Sequence, residues 1–117
     1  MRRRQFLIGA MALALGQATA VSVALAANDH IAQAIDQINK AIPYGEQPHD
    51  SSSFVQHIDN AIDHAVMAER THPSRNVKKA VALLRRARKT AYGTHLLSYS
   101  RRAASYAQKA RSDLQRG

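Results

Sequence analysis

The chain has no cysteine and no tryptophan among its 117 residues, and it has only two phenylalanines. The lack of cysteine excludes disulfide bonds, thiolate metal sites, thiol catalysis and a lipid anchor attached through cysteine. A Gly-rich phosphate loop, a CxxCH haem motif and the ordered Ser, His and Asp of a hydrolase are also missing. We therefore expect a non-enzymatic protein whose stability depends on helix packing.

The first 26 residues have the composition of an export signal. Three arginines, Arg2 to Arg4, precede an apolar run of 21 residues from Phe6 to Ala26. The run ends in the small-x-small pattern that a signal peptidase requires. An uncleaved membrane anchor is the alternative, because 21 residues can span a bilayer. Polar residues within the run favour cleavage, so we predict a signal peptide over residues 1–26, a periplasmic or secreted product, and no transmembrane segment after processing.

The arginine pair bears on the export route. Residues 3–7, Arg-Arg-Gln-Phe-Leu, resemble the twin-arginine motif of bacterial proteins that are exported already folded. Any Arg-rich signal can contain such a pair by chance. The general secretory route and the twin-arginine route therefore both remain open.

Residues 27–117 carry four segments in which apolar residues recur every three or four positions, which is typical of amphipathic helices. Helix 1 is predicted over Asp29 to Ile42, and connectors containing Pro or Gly follow the first three helices. The predicted apolar stripes are Ile31, Ile35, Ile38 and Ile42; Phe54, Ile58, Ala61, Ile62, Ala65 and Ala68; Val77, Val81, Leu84, Ala87 and Ala91; and Leu97, Ala103 or Ala104, Ala107, Ala110 and Leu114. Since short connectors make successive helices antiparallel neighbours, we predict an all-α, up-down-up-down four-helix bundle after the cleaved signal peptide.

The helices share a repeated unit. The pattern His-Ile-x-x-Ala-Ile-Asp occurs at residues 30–36 and again at 57–63, and weaker copies occur at 76–81 and 99–104. The apolar part persists in all four copies, whereas the histidine persists only in the first two. The repeat thus predicts the fold over the whole domain and a histidine-based function over its first half.

Charge is divided between the same halves. Residues 27–70 contain two basic and seven acidic residues, whereas residues 71–117 contain twelve basic residues and one acidic residue. In one interpretation, the acidic helices pair with the basic helices and fix their register. In the other, a basic surface binds an anionic envelope surface or an acidic partner; its residues are Lys78, Lys79, Arg85, Arg86, Arg88, Lys89, Arg101, Arg102, Lys109 and Arg111. Tyr92, Tyr99 and Tyr106 would suit base stacking or a bundle edge equally, and export argues against nucleic acid.

All six histidines follow the predicted signal: His30, His49, His57, His64, His72 and His95. Antiparallel helices would gather His30, His64 and His72 at one end, with Asp29 and Glu69 nearby. The other end would gather His49, His57 and His95. Imidazoles bind Cu(II), Ni(II) and Zn(II), and carboxylates can complete such sites. A solvent-facing or capping role is the alternative for each histidine taken alone.

Residues 54–65, in which His57 and His64 are seven apart, resemble the small metal-binding proteins of the bacterial periplasm. The resemblance extends over residues 29–114 and includes His30 in the first helix and His49, His72 and His95 near the turns. It implies a four-helix bundle that binds copper and other divalent metals. Helices 3 and 4 depart from the family pattern because Lys and Arg replace histidines and acids. We predict a copper-type buffering or sequestration protein (with zinc or nickel as alternatives) that holds one or two ions near helices 1 and 2 and the turns.

Overall fold

The computed structural model describes residues 2–46, 51–92 and 96–117, and the side chains of this part from residue 24 onward. It contains four α-helices: α1 (Arg2–Gly45), α2 (Ser51–Thr71), α3 (Arg75–Ala91) and α4 (Leu97–Arg116). The described ranges contain no β-strand. Within them, no helix has the length and apolar composition needed to cross a bilayer.

The helices are arranged in a ring. Each helix packs against its neighbour in the chain, and α4 returns to pack against α1. The α1–α2 and α3–α4 interfaces are the most extensive, so these two pairs form opposite sides of the molecule. The prediction of an all-α four-helix bundle is confirmed.

The core contains most of the predicted stripes of α2, α3 and α4, although Ile62 and Leu97 are only half-buried. Phe54, Ile58, Ala61, Ala65 and Ala68 are buried on α2; Val77, Ala80, Val81, Leu84, Ala87 and Ala91 on α3; and Ala103, Ala104, Ala107, Ala110 and Leu114 on α4. Alanines dominate this set, so the helix backbones approach closely but each layer buries little apolar area. Stability therefore depends heavily on the few large buried side chains.

The predicted stripe of helix 1 was rotated relative to its true core face. Ala34, Ile38 and Ala41 are fully buried, whereas Ile31 and Ile35 are only half-buried at the edge of the core. The close spacing of the helices leaves room for small side chains at the centre of the interface. Ile31, Ile35 and Ile42 consequently cover its margin, and only Ile38 of the predicted stripe is fully buried.

The predicted bounds of helix 1, Asp29 and Ile42, were also wrong. The helix begins at Arg2 and runs without a break past Ala26, the predicted cleavage position. It ends at Gly45, two residues beyond Pro43, which lies in the last turn and lacks the N–H that would bond to Asn39. The first described residue to be buried in the bundle is Ala27.

Glycine at position 45 allows α1 to approach α4 closely. A Cβ atom at this position would lie 2.7 Å from the Cβ atom of Ala104 and 3.2 Å from the carbonyl oxygen of Ser100. The ring of Phe54 lies on the same side, 3.5 Å from that Cβ position. The absence of a side chain thus lets three helices meet at this end of the bundle.

Ser74 caps the N-terminus of α3. Its hydroxyl accepts a hydrogen bond from the backbone N–H of Val77 at 3.4 Å. The backbone N–H of Ser74 itself donates to the Glu69 carboxylate at 2.9 Å. The turn between α2 and α3 is therefore fixed by hydrogen bonds from both of its sides.

Candidate metal centre

Two of the predicted histidines converge between α1 and α2. The Nδ1 atoms of His30 and His64 lie 3.3 Å apart, and the ring centroids are separated by 5.5 Å at an interplanar angle of 31°. Both residues are half-buried. In this arrangement one Nδ1–H can donate to the lone pair of the other Nδ1.

The register of the two antiparallel helices accounts for this pairing. His30 is opposite His64, and seven residues further along α1, Gln37 is opposite His57, seven residues earlier on α2. A seven-residue step is two helical turns and shifts the side chain by only about 20° around the helix. Positions 30 and 37 therefore lie on one flank of α1, and positions 57 and 64 lie on the facing flank of α2.

That flank lies outside the core. On α1 the core is occupied by Ala34, Ile38 and Ala41, whereas Ile31 and Ile35 line a groove beside Leu114 of α4. The flank that carries His30 is thus the one turned toward α2 and away from α4. The histidine pair lies at the outer edge of the α1–α2 interface, where it is partly open to solvent.

We call the facing side chains at this edge, His30 and Gln37 on α1 with His64 and His57 on α2, the α1–α2 seam. Its second pair is Gln37 and His57. His57 Nδ1 lies 2.9 Å from Gln37 Oε1, and the His57 ring stacks on Tyr44 with centroids 5.7 Å apart and an interplanar angle of 13°. Asn60 Nδ2 donates to the same Gln37 oxygen at 3.5 Å. Because an amide oxygen can only accept, Nδ1–H of His57 is the donor in this contact.

Other predicted ligands do not join the His30–His64 pair. Asp29 accepts a hydrogen bond from Gln33 at 2.7 Å, and Glu69 contacts Ser74 and Lys78. His72 is exposed just after the end of α2. No group of three or more His, Cys, Asp or Glu residues suited to a metal ion occurs in the described part of the chain.

The remaining predicted ligands have separate outcomes. His57 contacts Gln37 and Tyr44 and is not brought together with His64. His49 and His95 lie outside the described residues. Of the predicted cluster of His30, His64 and His72, the structure brings together His30 and His64. Of the cluster predicted at the other end, only His57 is among the described residues.

Sequence reasoning missed Gln37, which belongs to the α1–α2 seam, and Tyr44, which stacks on His57. An amide and a phenol are not expected ligands for copper or zinc, so a search for ligand types does not select them. Only their spacing could have identified them, because residues 37 and 44 follow His30 at intervals of seven.

The charged residues near the interfaces follow the division seen in the sequence. Arg88 of α3 contacts Asp59 of α2 at 2.6 Å, Lys78 contacts Glu69 at 3.7 Å, and Arg101 contacts Glu46 at 3.4 Å. Such exposed pairs each contribute about 0–1 kcal/mol, so their main effect is on register. They also keep these cations on the flanks of α3 and α4, whereas the histidine pair lies between α1 and α2.

No protein-family model, curated protein sequence or solved structure matches the chain. The site itself must therefore carry any inference of function.

Proposed function

We propose that this chain is a small exported, non-enzymatic protein that binds a divalent metal ion between His30 and His64. Copper is the preferred ion, with zinc and nickel as weaker candidates, and the role is buffering or sequestration. These assignments follow the periplasmic family that the sequence resembles. The observation that carries the proposal is the 3.3 Å separation of the two Nδ1 atoms.

That separation suits two ligands of one ion. Metal–nitrogen bonds of about 2.0–2.1 Å, at angles between about 90° and 110°, place two nitrogens roughly 2.8–3.4 Å apart. A bound ion would replace the proton that the two rings share. The loss of one hydrogen bond costs only about 1 kcal/mol, which coordination can exceed.

The ligand set also bears on affinity and on the choice of metal. Imidazole nitrogen suits Cu(II), which stands at the top of the affinity series of divalent first-row metals. Two protein ligands leave the other coordination positions to water or to a second molecule. Weak, exchangeable binding follows, and this suits a buffer better than a permanent structural site.

Titration of the purified protein with Cu(II) near neutral pH tests the proposal. We expect one saturable equivalent, and we expect His30→Ala or His64→Ala to weaken it at least tenfold. Even loss of an outer-shell partner commonly costs about 10–100-fold in metal affinity. The matched control is His72→Ala, which removes an exposed histidine and should leave this equivalent unchanged. Wild-type affinity in both the His30 and the His64 variants would exclude the site.

Export is the other part of the proposal. The predicted cleavage site, after Ala26, immediately precedes Ala27, the first described residue that the bundle buries. Mass spectrometry of the protein recovered from the producing cell should therefore give a chain that begins at Ala27. A product that keeps residues 1–26 in the cell envelope would favour an uncleaved anchor instead. Ala24→Leu, which removes the small residue at the start of the Ala-x-Ala pattern, should block processing.

A further inference from the structure

Eight of the twelve basic residues of α3 and α4 fall into two sets of four according to the interface they face. One set lies on the outer flanks, toward α2 and α1. Its members bind polar partners there: Lys78 with Glu69, Arg88 with Asp59, Arg101 with Glu46, and Arg111 with the side-chain oxygen of Asn39 at 2.7 Å. The cations of this set are therefore paired with polar groups of the bundle itself.

The second set lies on the shared face of α3 and α4. Lys79 and Arg86 line a shallow groove of about 340 Å³ between the two helices, above Ala82 and Leu83. Asp113 of α4 lines the same groove. On α4, Lys109 lies one turn before Asp113, and Arg102 lies two turns before Lys109. We name Lys79, Arg86, Arg102 and Lys109 the α3–α4 basic face; all four are exposed.

These four cations have no acidic partner among the described residues. Arg102 lies over the Tyr99 ring at 5.6 Å, and Lys109 lies over the Tyr106 ring at 6.0 Å. The one acid in the groove, Asp113, has a side chain only 13% exposed and is bound by Arg116 at 2.9 Å. The face therefore presents positive charge to solvent without internal neutralisation.

We propose that the α3–α4 basic face binds the surface of a membrane that contains anionic phospholipid. The face is formed by two adjacent helices, and each supplies two cations about 10.5 Å apart along its axis. Half-buried Leu83 and Tyr106 and exposed Tyr99 lie among the cations. Basic residues interleaved with tyrosine are the combination that favours a headgroup layer. The inference is independent of the metal site, because the α3–α4 side is opposite the α1–α2 side.

Lipid is favoured over the other polyanions for two reasons. An acidic protein partner would need carboxylates placed to match individual cations, whereas the groove here is shallow and has Ala82, Leu83 and the acidic Asp113 between its two cations. Nucleic acid would have to be met outside the cell, because the proposed function makes this an exported protein. A membrane surface can contact all four cations at once because it is broad, and it lies beside an exported protein.

Vesicle co-sedimentation of the full chain tests this inference. Vesicles of phosphatidylcholine alone give the baseline, which includes any contribution of the apolar residues 6–26, and equimolar phosphatidylglycerol gives the anionic increment. Each cation near an anionic surface contributes roughly fivefold to binding. We therefore expect Lys79→Gln/Arg86→Gln to reduce the anionic increment about 25-fold. High salt should abolish the increment, since the screening length falls below about 10 Å above 0.1 M.

The matched control is Lys40→Gln/Arg70→Gln, which removes the same charge from exposed positions of α1 and α2. Its anionic increment should stay within about twofold of wild type. An equal loss in the two double variants would overturn the inference, because it would show an effect of net charge alone. Tighter binding to a single-stranded oligonucleotide than to anionic vesicles, lost in the Lys79/Arg86 variant, would overturn it in favour of nucleic acid. Melting temperatures of all variants should match wild type, since every substituted side chain is exposed.

Discussion

Replacing Gln37 with histidine is expected to give the chain a second metal-binding pair and to raise its Cu(II) stoichiometry from one ion to two. Gln37 faces His57 across the α1–α2 interface, with 2.9 Å between Oε1 and Nδ1. His30 faces His64 in the same register at 3.3 Å. An imidazole at position 37 would therefore stand opposite His57 as His30 stands opposite His64. Titration of the Gln37→His protein should show two saturable equivalents.

Gln108→His is the matched control for this gain of function. It adds one histidine at an exposed position of α4, where no His, Asp or Glu lies three or four residues away in either direction. It should leave the stoichiometry at one, and adding His57→Ala to Gln37→His should restore one as well. A second equivalent in the Gln108→His protein would show that added histidines bind copper wherever they are placed, and the register argument would fail.

The largest expected effect on stability comes from Phe54→Ala. Phe54 is the largest side chain that the described core buries fully, and its neighbours include Gly45, which has no side chain to fill a gap. Removing a buried Phe ring costs about 3–5 kcal/mol. The free energy of unfolding of a small domain is about 5–15 kcal/mol. The variant should therefore melt at least 12 °C below wild type, at about 4–8 °C per kcal/mol.

Thermal unfolding followed by circular dichroism measures this loss. Phe54→Leu keeps an apolar side chain at the same place and should cost about 1–1.5 kcal/mol. Met67→Ala truncates a residue on the same helix that is 45% exposed, and it should change stability by less than about 0.5 kcal/mol. If Phe54→Ala melted within a few degrees of Met67→Ala, the packing at the Gly45 end of the core would be described incorrectly.

The sequence predicts α2 and α3 well because their apolar residues are concentrated on one face. Phe54, Ile58, Val77 and Leu84 were assigned to the core from spacing alone, and all are buried. The core face of α1 was predicted less well, since hydrophobicity favours isoleucine over alanine. Close helix approach has the opposite preference and places Ala34 and Ala41 at the centre. Which side chains fit between two helices depends on how closely the helices approach, and the apolar pattern of one helix does not determine that distance.

The site shows a similar limit. His30 and His64 could be selected as ligand types, but their meeting depends on the α1–α2 register, which a shift of one turn would destroy. His72 was expected beside them because antiparallel connection brings the end of α2 next to the predicted start of helix 1 at Asp29, yet it is exposed beyond the last turn of α2. Assigning residues to the same end of the bundle therefore did not predict which of their side chains would meet.

The charge pattern left two interpretations open, and the structure relates them to different surfaces. Lys78, Arg88 and Arg101 take part in acid–base pairs between helices, as the first interpretation expected. Lys79 and Arg86 have no such partner in the described residues, and they lie on the face for which we propose lipid binding. The sequence alone could not separate these residues, because the separation depends on which flank of α3 faces α2.

The central claim is that His30 and His64 act as one site, and a double-mutant cycle of Cu(II) affinity tests it most directly. The cycle compares wild type, His30→Ala, His64→Ala and the double variant by the same titration. If one ion requires both imidazoles, each single substitution should weaken binding nearly as much as the double substitution. Losses that simply add, or single variants that bind as wild type does, would contradict a shared site.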